Sequence, residues 1–151
     1  MSRRVLHILV FLAILVPSIQ YVWQSRDMPH FSYLHDDGLL FVSAKSLSEG
    51  SYRIDSFPDA PPQTKFPPLF PAYLSLIWKL DPNFPHNLRL GTLFAWIPLA
   101  AFLFLARMLY RKMGLSDQRA WLLVALLGMN PYLLAFGGML FSDVFFTCWL
   151  L

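Results

Sequence analysis

The chain has 151 residues, of which 56% are hydrophobic, 17% aromatic and 14% charged, about half the charged fraction of an average soluble domain. This composition favours a membrane protein over a soluble globular domain. The net charge is only +3 and the basic residues are dispersed between apolar runs, which argues against a nucleic-acid partner.

The first apolar stretch, residues 5–23, is long enough for a spanning helix, which needs roughly 17–25 residues. Arg3 and Arg4 precede it, and Tyr21 and Trp23 lie near its far end as interfacial anchors. A cleaved signal peptide also begins with basic residues and an apolar core. Because no A-x-A-like cleavage site follows, we predict an uncleaved anchor helix.

The second predicted span covers residues 88–110, and Pro98 is expected to kink it. Basic residues crowd the end of this span and the short link after it: Arg107, Arg111, Lys112 and Arg119. Cytoplasmic loops carry an excess of such residues, so this link and the N-terminus are predicted to be cytoplasmic. The expected location is the cytoplasmic (inner) membrane or an endoplasmic-type membrane, with residues 24–87 forming a loop outside.

The third apolar region, residues 120–151, is too long for one span. An Asn-Pro pair at 130–131 and a Gly-Gly pair at 137–138 interrupt it. We therefore predict a third span at about 120–136 and a fourth at 139–151. The fourth has only 13 residues, so we expect the chain to be the N-terminal part of a longer multi-pass protein.

The outer loop contains two predicted amphipathic helices. The first runs from Asp36 to Leu47, with Asp36 and Asp37 at the positive end of the helix dipole and Gly50 as a stop. A connector with six prolines follows, and the second helix begins at Pro67 or Pro68 and is expected to lie in the interface. The predicted fold is an all-α, polytopic membrane helix bundle with these two juxtamembrane helices.

Four short segments, in this order, resemble a known family: HDDGLLFVSAKSLSEG at 35–50, KFPPLFP at 65–71, NLRLGTLFA at 87–95 and NPYLLAFGGMLFSD at 130–143. Together they look like the N-terminal third of C-type (GT-C) membrane glycosyltransferases. The similarity is to glycosyltransferase family 39, which includes protein O-mannosyltransferase and aminoarabinose-transferase relatives. It extends over nearly the whole chain and depends on the order and spacing of the segments.

The resemblance implies an inverting transfer of a sugar from a polyprenyl-phosphate donor to a hydroxyl of a lipid, glycan or protein acceptor at the outer face. Asp36 matches the family's first loop acid, the general base. Asp37 stands where the family has Glu, which leaves the choice between the two acids open. Lys65 would hold the lipid phosphate, and Asp143 would face the same cavity. Arg89 is a further candidate phosphate contact or an interfacial anchor.

Physical chemistry supports this assignment independently. A phosphate-linked sugar already has a good anionic leaving group, so the enzyme needs a base and charge stabilisation more than a general acid. A carboxylate at the outer leaflet and a lysine at a helix N-terminus supply both. An acid at or near a span, such as Asp143, is costly unless it faces water or a partner.

Other interpretations remain open. Asp36 and Asp37 could form a solvated helix cap, and Lys65 could be a snorkelling interfacial lysine. His30 and His35 could bind a divalent cation, although no fixed ligand spacing supports a metal site. No glycine-rich phosphate loop, nucleophilic triad or nucleotide fingerprint is visible, so no cofactor is predicted. The alternative function is a noncatalytic membrane protein, such as a transporter fragment or an assembly partner.

Overall fold

The computed structural model describes residues 2–151, and these residues are helical with no named strand, which confirms the all-α prediction. One isolated antiparallel bridge joins Arg53 and Pro62. The helices are α1 (Arg3–Gln24), α2 (Asp36–Ser48), α3 (Leu69–Leu80), α4 (Leu88–Lys112), α5 (Asp117–Gly128), α6 (Pro131–Phe136) and α7 (Ser142–Leu150).

Two helices, α1 and α4, are long and apolar enough to cross a membrane. With 22 and 25 residues they measure about 33 and 38 Å, more than the roughly 30 Å of a bilayer's hydrocarbon core. Many apolar side chains of α1 are exposed: Val5, Leu6, Ile8, Leu9, Leu12, Val16, Ile19 and Trp23. An exposed apolar surface of this extent is unusual for a soluble monomer and suits a helix in contact with lipid.

The third predicted span, residues 120–136, is not one helix. Helix α5 ends at Gly128, and the Asn130 side chain then accepts hydrogen bonds from the backbone N–H groups of Tyr132 and Leu133 at 2.9 and 3.2 Å. This caps α6, whose first residue Pro131 has no N–H to continue the preceding helix. At about 18 and 9 Å, neither helix alone spans a bilayer.

The last helix also differs from its predicted start, because α7 begins at Ser142 instead of residue 139. The residues before it make close contacts. A Cβ atom added to Gly138 would lie 2.6 Å from Cε1 of Tyr21, so the turn between α6 and α7 packs tightly on α1. Leu140 in the same turn is fully buried.

Helix α4 continues through Pro98 without a break. Proline has no N–H, so the carbonyl of Phe94, four residues earlier, loses its helical partner. The hydroxyl of Tyr73 on α3 donates to this carbonyl at 3.0 Å. Burial raises the pKa of Tyr73 to about 12, which keeps the hydroxyl protonated and able to donate. This is the kind of coverage by a neighbouring helix that a proline in a span requires.

Helices α2 and α3, which lie between α1 and α4 in the sequence, pack against each other, and α3 also contacts α4. We call the buried apolar residues around this pair the loop cluster; they are Met28, Leu40, Phe41, Ala44, Phe70, Leu74, Ile77, Leu88, Ala95 and Leu140. A second, smaller set is contributed by α1, α4, α5 and α7: Leu15, Leu99, Leu103, Val124 and Val144. The loop cluster thus joins α2 and α3 to the first part of α4 and to the turn before α7, and α3 buries one face in it.

Candidate functional site

The structure brings together two of the predicted site residues. The Nζ atom of Lys65 lies 2.6 Å from Oδ1 of Asp36, although 29 residues separate them along the chain. Asp36 is the first residue of α2, and Lys65 lies four residues before α3. The side chains are 58% exposed for Lys65 and 41% for Asp36, so the ion pair is open to solvent and to ligands.

Gln63 fixes the backbone beside Lys65. Its side chain is buried, and its Nε2 donates to the hydroxyl of Ser43 on α2 at 2.9 Å. Its Oε1 accepts from the backbone N–H of Lys65 at 2.9 Å, and its own N–H donates to the carbonyl of Tyr52 at 3.0 Å. The connector is thereby attached to α2 at the point where Lys65 must meet Asp36.

The sequence pattern does not single out Gln63. The available signal is that it carries the only side-chain amide within residues 56–71 and precedes Lys65 by two positions. A polar side chain that can donate and accept at once is well suited to hold a proline-rich segment, where few backbone N–H groups remain. Its partner on α2, Ser43, can be identified only from the folded structure.

Asp37 differs from its neighbour because it is buried, with only 3% of its surface exposed. Its two carboxylate oxygens accept from the backbone N–H groups of Ser32 and Gly38, each at 2.9 Å. His35, just before the helix, has the left-handed backbone angle φ of 64°, which is uncommon for a residue with a side chain. Asp37 therefore stabilises the turn that leads into α2, whereas Asp36 is the accessible acid.

Arg89 pairs with Asp27 instead of joining Asp36 and Lys65. Its Nε lies 2.7 Å from Oδ1 of Asp27, and both side chains are more than half exposed. The hydrogen bond from Arg89 lowers the pKa of Asp27, so the carboxylate stays ionised. This pair connects the residues after α1 to the first turn of α4.

Asp143 lies in a separate cavity. That cavity has a volume of about 360 Å³ and is lined from α4 to α7, with Phe102, Leu127 and Tyr132 among its residues. Neither Asp36 nor Lys65 lines it. Helix α7 contacts the beginning of α3 through a different residue, since the ring centroids of Phe145 and Phe70 are 5.2 Å apart. This cavity is therefore not the one that the sequence analysis predicts Asp143 to share with Asp36 and Lys65.

A groove of about 710 Å³ borders the start of α2. Most of its wall is apolar and aromatic, with Phe31, Phe41, Phe57, Trp78 and Phe84. His35 and Gly38, on either side of the two acids in the sequence, also line it. The groove is large enough for a small-molecule substrate, although neither Asp36 nor Lys65 is among its lining residues.

Within residues 2–151, no group of three or more His, Cys, Asp or Glu side chains is arranged to hold a metal ion. No protein-family model matches the chain, and no curated protein or solved structure matches it either. The resemblance to C-type glycosyltransferases therefore depends only on the sequence segments quoted above.

Proposed function

We propose that this chain is part of a membrane glycosyltransferase that moves a sugar from a polyprenyl-phosphate donor to an acceptor hydroxyl, with Asp36 as the general base. The observation that carries the proposal is the contact between Asp36 and Lys65. These two residues have complementary predicted roles and are distant in the sequence. They meet at an exposed position in the segment that links α1 to α4. Neither residue is needed there for the buried core.

In the proposed reaction, Asp36 accepts the proton of the acceptor hydroxyl. The acceptor oxygen then forms a bond to the anomeric carbon, while the bond from that carbon to the phosphate oxygen breaks. The leaving polyprenyl phosphate takes the electron pair, and Lys65 stabilises its negative charge. Asp37 holds the turn before α2 and does not take part in proton transfer.

The aromatic groove beside α2 supports this proposal by providing space for a sugar ring. Aromatic faces such as those of Phe57 and Trp78 offer apolar surfaces on which a ring can stack. Lys45 and His35 add polar groups to the same groove. An apolar wall with a few polar groups is the usual composition of a small-molecule site.

We also propose that α1 and α4 cross the inner membrane, with the N-terminus in the cytoplasm and residues 24–87 outside. The basic residues after α4 support this orientation. In this arrangement α5 and α6 together occupy the third crossing. The polytopic architecture is thus part of the proposal.

The test compares neighbouring acids in the full-length protein. Asp36→Asn should lower the transfer rate by about 10²–10⁴-fold, as expected for loss of a positioned base, with donor affinity nearly unchanged. Asp37→Asn keeps one acceptor oxygen and should reduce the folded yield while leaving the rate per folded molecule near normal. Lys65→Ala should mainly weaken donor binding, since a hydrogen bond to a charged group contributes about 1.5–3 kcal/mol.

The opposite result for the two acids would assign the base to Asp37. A folded protein in which Asp36 and Lys65 can both be replaced without effect on transfer or donor binding would favour the noncatalytic alternative. In that case the ion pair would serve only to hold the beginning of α2.

A further inference from the structure

A second charged cluster lies at the other end of the long helices, where α1, α4 and α5 meet. Asp117 is its only acid, and Oδ1 lies 2.6 Å from Nη2 of Arg107 and 3.8 Å from Nε of Arg111. Its Oδ2 lies 2.7 Å from Nε2 of His7. One carboxylate thus holds three helices together at this end.

A pocket of about 590 Å³ opens beside this cluster. Its lining consists of Arg3, Leu6, His7, Arg107, Arg111, Asp117 and Gln118. Three arginines and one aspartate leave a surplus of two positive charges when the histidine is neutral. An anion that entered this pocket would meet cations from both α1 and α4.

The donors in this region are incompletely satisfied. Arg107 is mostly buried, and its guanidinium lies over the ring of Trp121 at 4.4 Å. Within the described residues, Arg107 Nε and Trp121 Nε1 are buried and have no hydrogen-bond partner. Buried donors are usually paired, and of these two residues only Arg107 lines the pocket, so its guanidinium has a donor that no protein group within residues 2–151 uses.

The surroundings of the pocket indicate which kind of anion it binds. Leu6 lines the pocket, and Val5, Leu6 and Leu9 form an exposed apolar strip on the same helix. A free anion would gain nothing from this strip, whereas acyl chains could lie along it. Basic pockets between spanning helices on the cytoplasmic side are suited to anionic head groups.

From these observations we propose that the pocket binds a phosphate group, supplied by an anionic phospholipid of the leaflet at this end of the protein. The arginines hold the phosphate, and the acyl chains follow α1. This site is independent of the proposed transfer reaction, because it lies at the opposite ends of α1 and α4 from Asp36 and Lys65.

The test measures the thermal unfolding midpoint of the full-length protein in detergent while a lipid is titrated. Phosphatidylglycerol should raise the midpoint in a saturable way, and phosphatidylcholine and inorganic phosphate at equal concentrations should not. Arg111→Gln and Arg3→Gln should each weaken the apparent affinity for phosphatidylglycerol about tenfold or more, as for loss of a charge-assisted contact. Arg119→Gln is the matched control, because Arg119 is exposed on α5 outside the pocket lining.

Equal weakening by all three arginine substitutions would overturn the proposal in favour of diffuse surface charge. Equal stabilisation by phosphatidylcholine and phosphatidylglycerol would show that the head-group charge is not recognised. Stabilisation by inorganic phosphate with none from phosphatidylglycerol would overturn the assignment to a lipid.

Discussion

The two charged clusters, at opposite ends of the long helices, are built on different principles. At one end, Asp36 contacts a single lysine and both side chains are substantially exposed. At the other end, Asp117 is surrounded by a histidine and two arginines, of which Arg107 is only 17% exposed. Asp36 has one partner, which can exchange for another, whereas Asp117 on α5 is held by residues of two other helices, α1 and α4.

This difference indicates different roles for chemically identical side chains. An exposed pair contributes little to stability, with a median of about 0–1 kcal/mol, so Asp36 and Lys65 are free to exchange partners. Asp117 is about as exposed as Asp36, at 38% against 41%, but its several cations, of which Arg107 is mostly buried, fix the positions of the helices and leave a positive surplus for another anion. Reactivity is expected at the first cluster and structural support at the second.

The largest expected effect concerns whether the two clusters face opposite sides of a membrane. With Cys148→Ala as background, an impermeant thiol reagent in intact cells should label Ser56→Cys almost completely and Met113→Cys almost not at all. Both positions are exposed, and Met113 is preferable to Ser116, whose side chain caps α5. Labelling of Met113→Cys with protection of Ser56→Cys would invert the proposed orientation.

The next-largest effect is expected for a substitution in the apolar core around α2 and α3, beneath the Asp36–Lys65 pair. Phe41 is 1% exposed, and its ring lies 4.8 Å from that of Trp78. Phe41→Ala should cost about 3–5 kcal/mol and accelerate trypsin cleavage within residues 36–80. Phe57→Ala, at a side chain that is 51% exposed, should leave the cleavage rate near normal. Similar rates for both variants would show that the α2–α3 pair does not depend on this packing.

A smaller effect is expected at the residue that positions Lys65. Gln63→Ala removes the contacts to Ser43 and to the Lys65 backbone and should cost about 1–3 kcal/mol. It should also weaken donor binding through Lys65, so the double variant with Lys65→Ala should bind little worse than Lys65→Ala alone. Full additivity of the two losses would mean that Gln63 does not act through Lys65.

The smallest effect concerns the contact between α3 and α4. Tyr73→Phe removes only the hydroxyl that donates to Phe94 and should lower the free energy of unfolding by about 0.5–1.5 kcal/mol. Tyr33→Phe is the control, because Tyr33 is 81% exposed. A stability loss no larger than that of the control would indicate that the carbonyl beside Pro98 finds another partner.

Local signals in the sequence predict several elements well. The acidic pair marks the first turn of α2, and the prolines before α3 mark its beginning, since these residues act through the backbone immediately next to them. The apolar runs of α1 and α4 are likewise evident from length and composition. The sequence also indicates a break at Asn130. It does not show the side-chain cap of Asn130, and this cap divides the predicted third span into two helices.

Contacts between distant segments could not be predicted in the same way. Arg89 and Asp27 are 62 residues apart, and Gln63 and Ser43 are 20 apart, so these partners depend on how the helices pack. The two adjacent acids carry the same side chain, yet successive helical residues point about 100° apart. Asp37 consequently turns towards Ser32 and is buried, whereas Asp36 remains accessible.

Lys65 is attached at its backbone, whereas its head group is exposed. The head group can therefore move while the backbone stays in place. The N–H of Lys65 is held by Gln63, but the four-carbon stem ends in solvent at Asp36. The ammonium group can therefore swing about a stationary Cα, and the charge can travel several ångströms while the connector stays in place. Delivery of that charge to a new anion requires a rotamer change, which occurs within picoseconds to nanoseconds for exposed side chains, and no rearrangement of a helix.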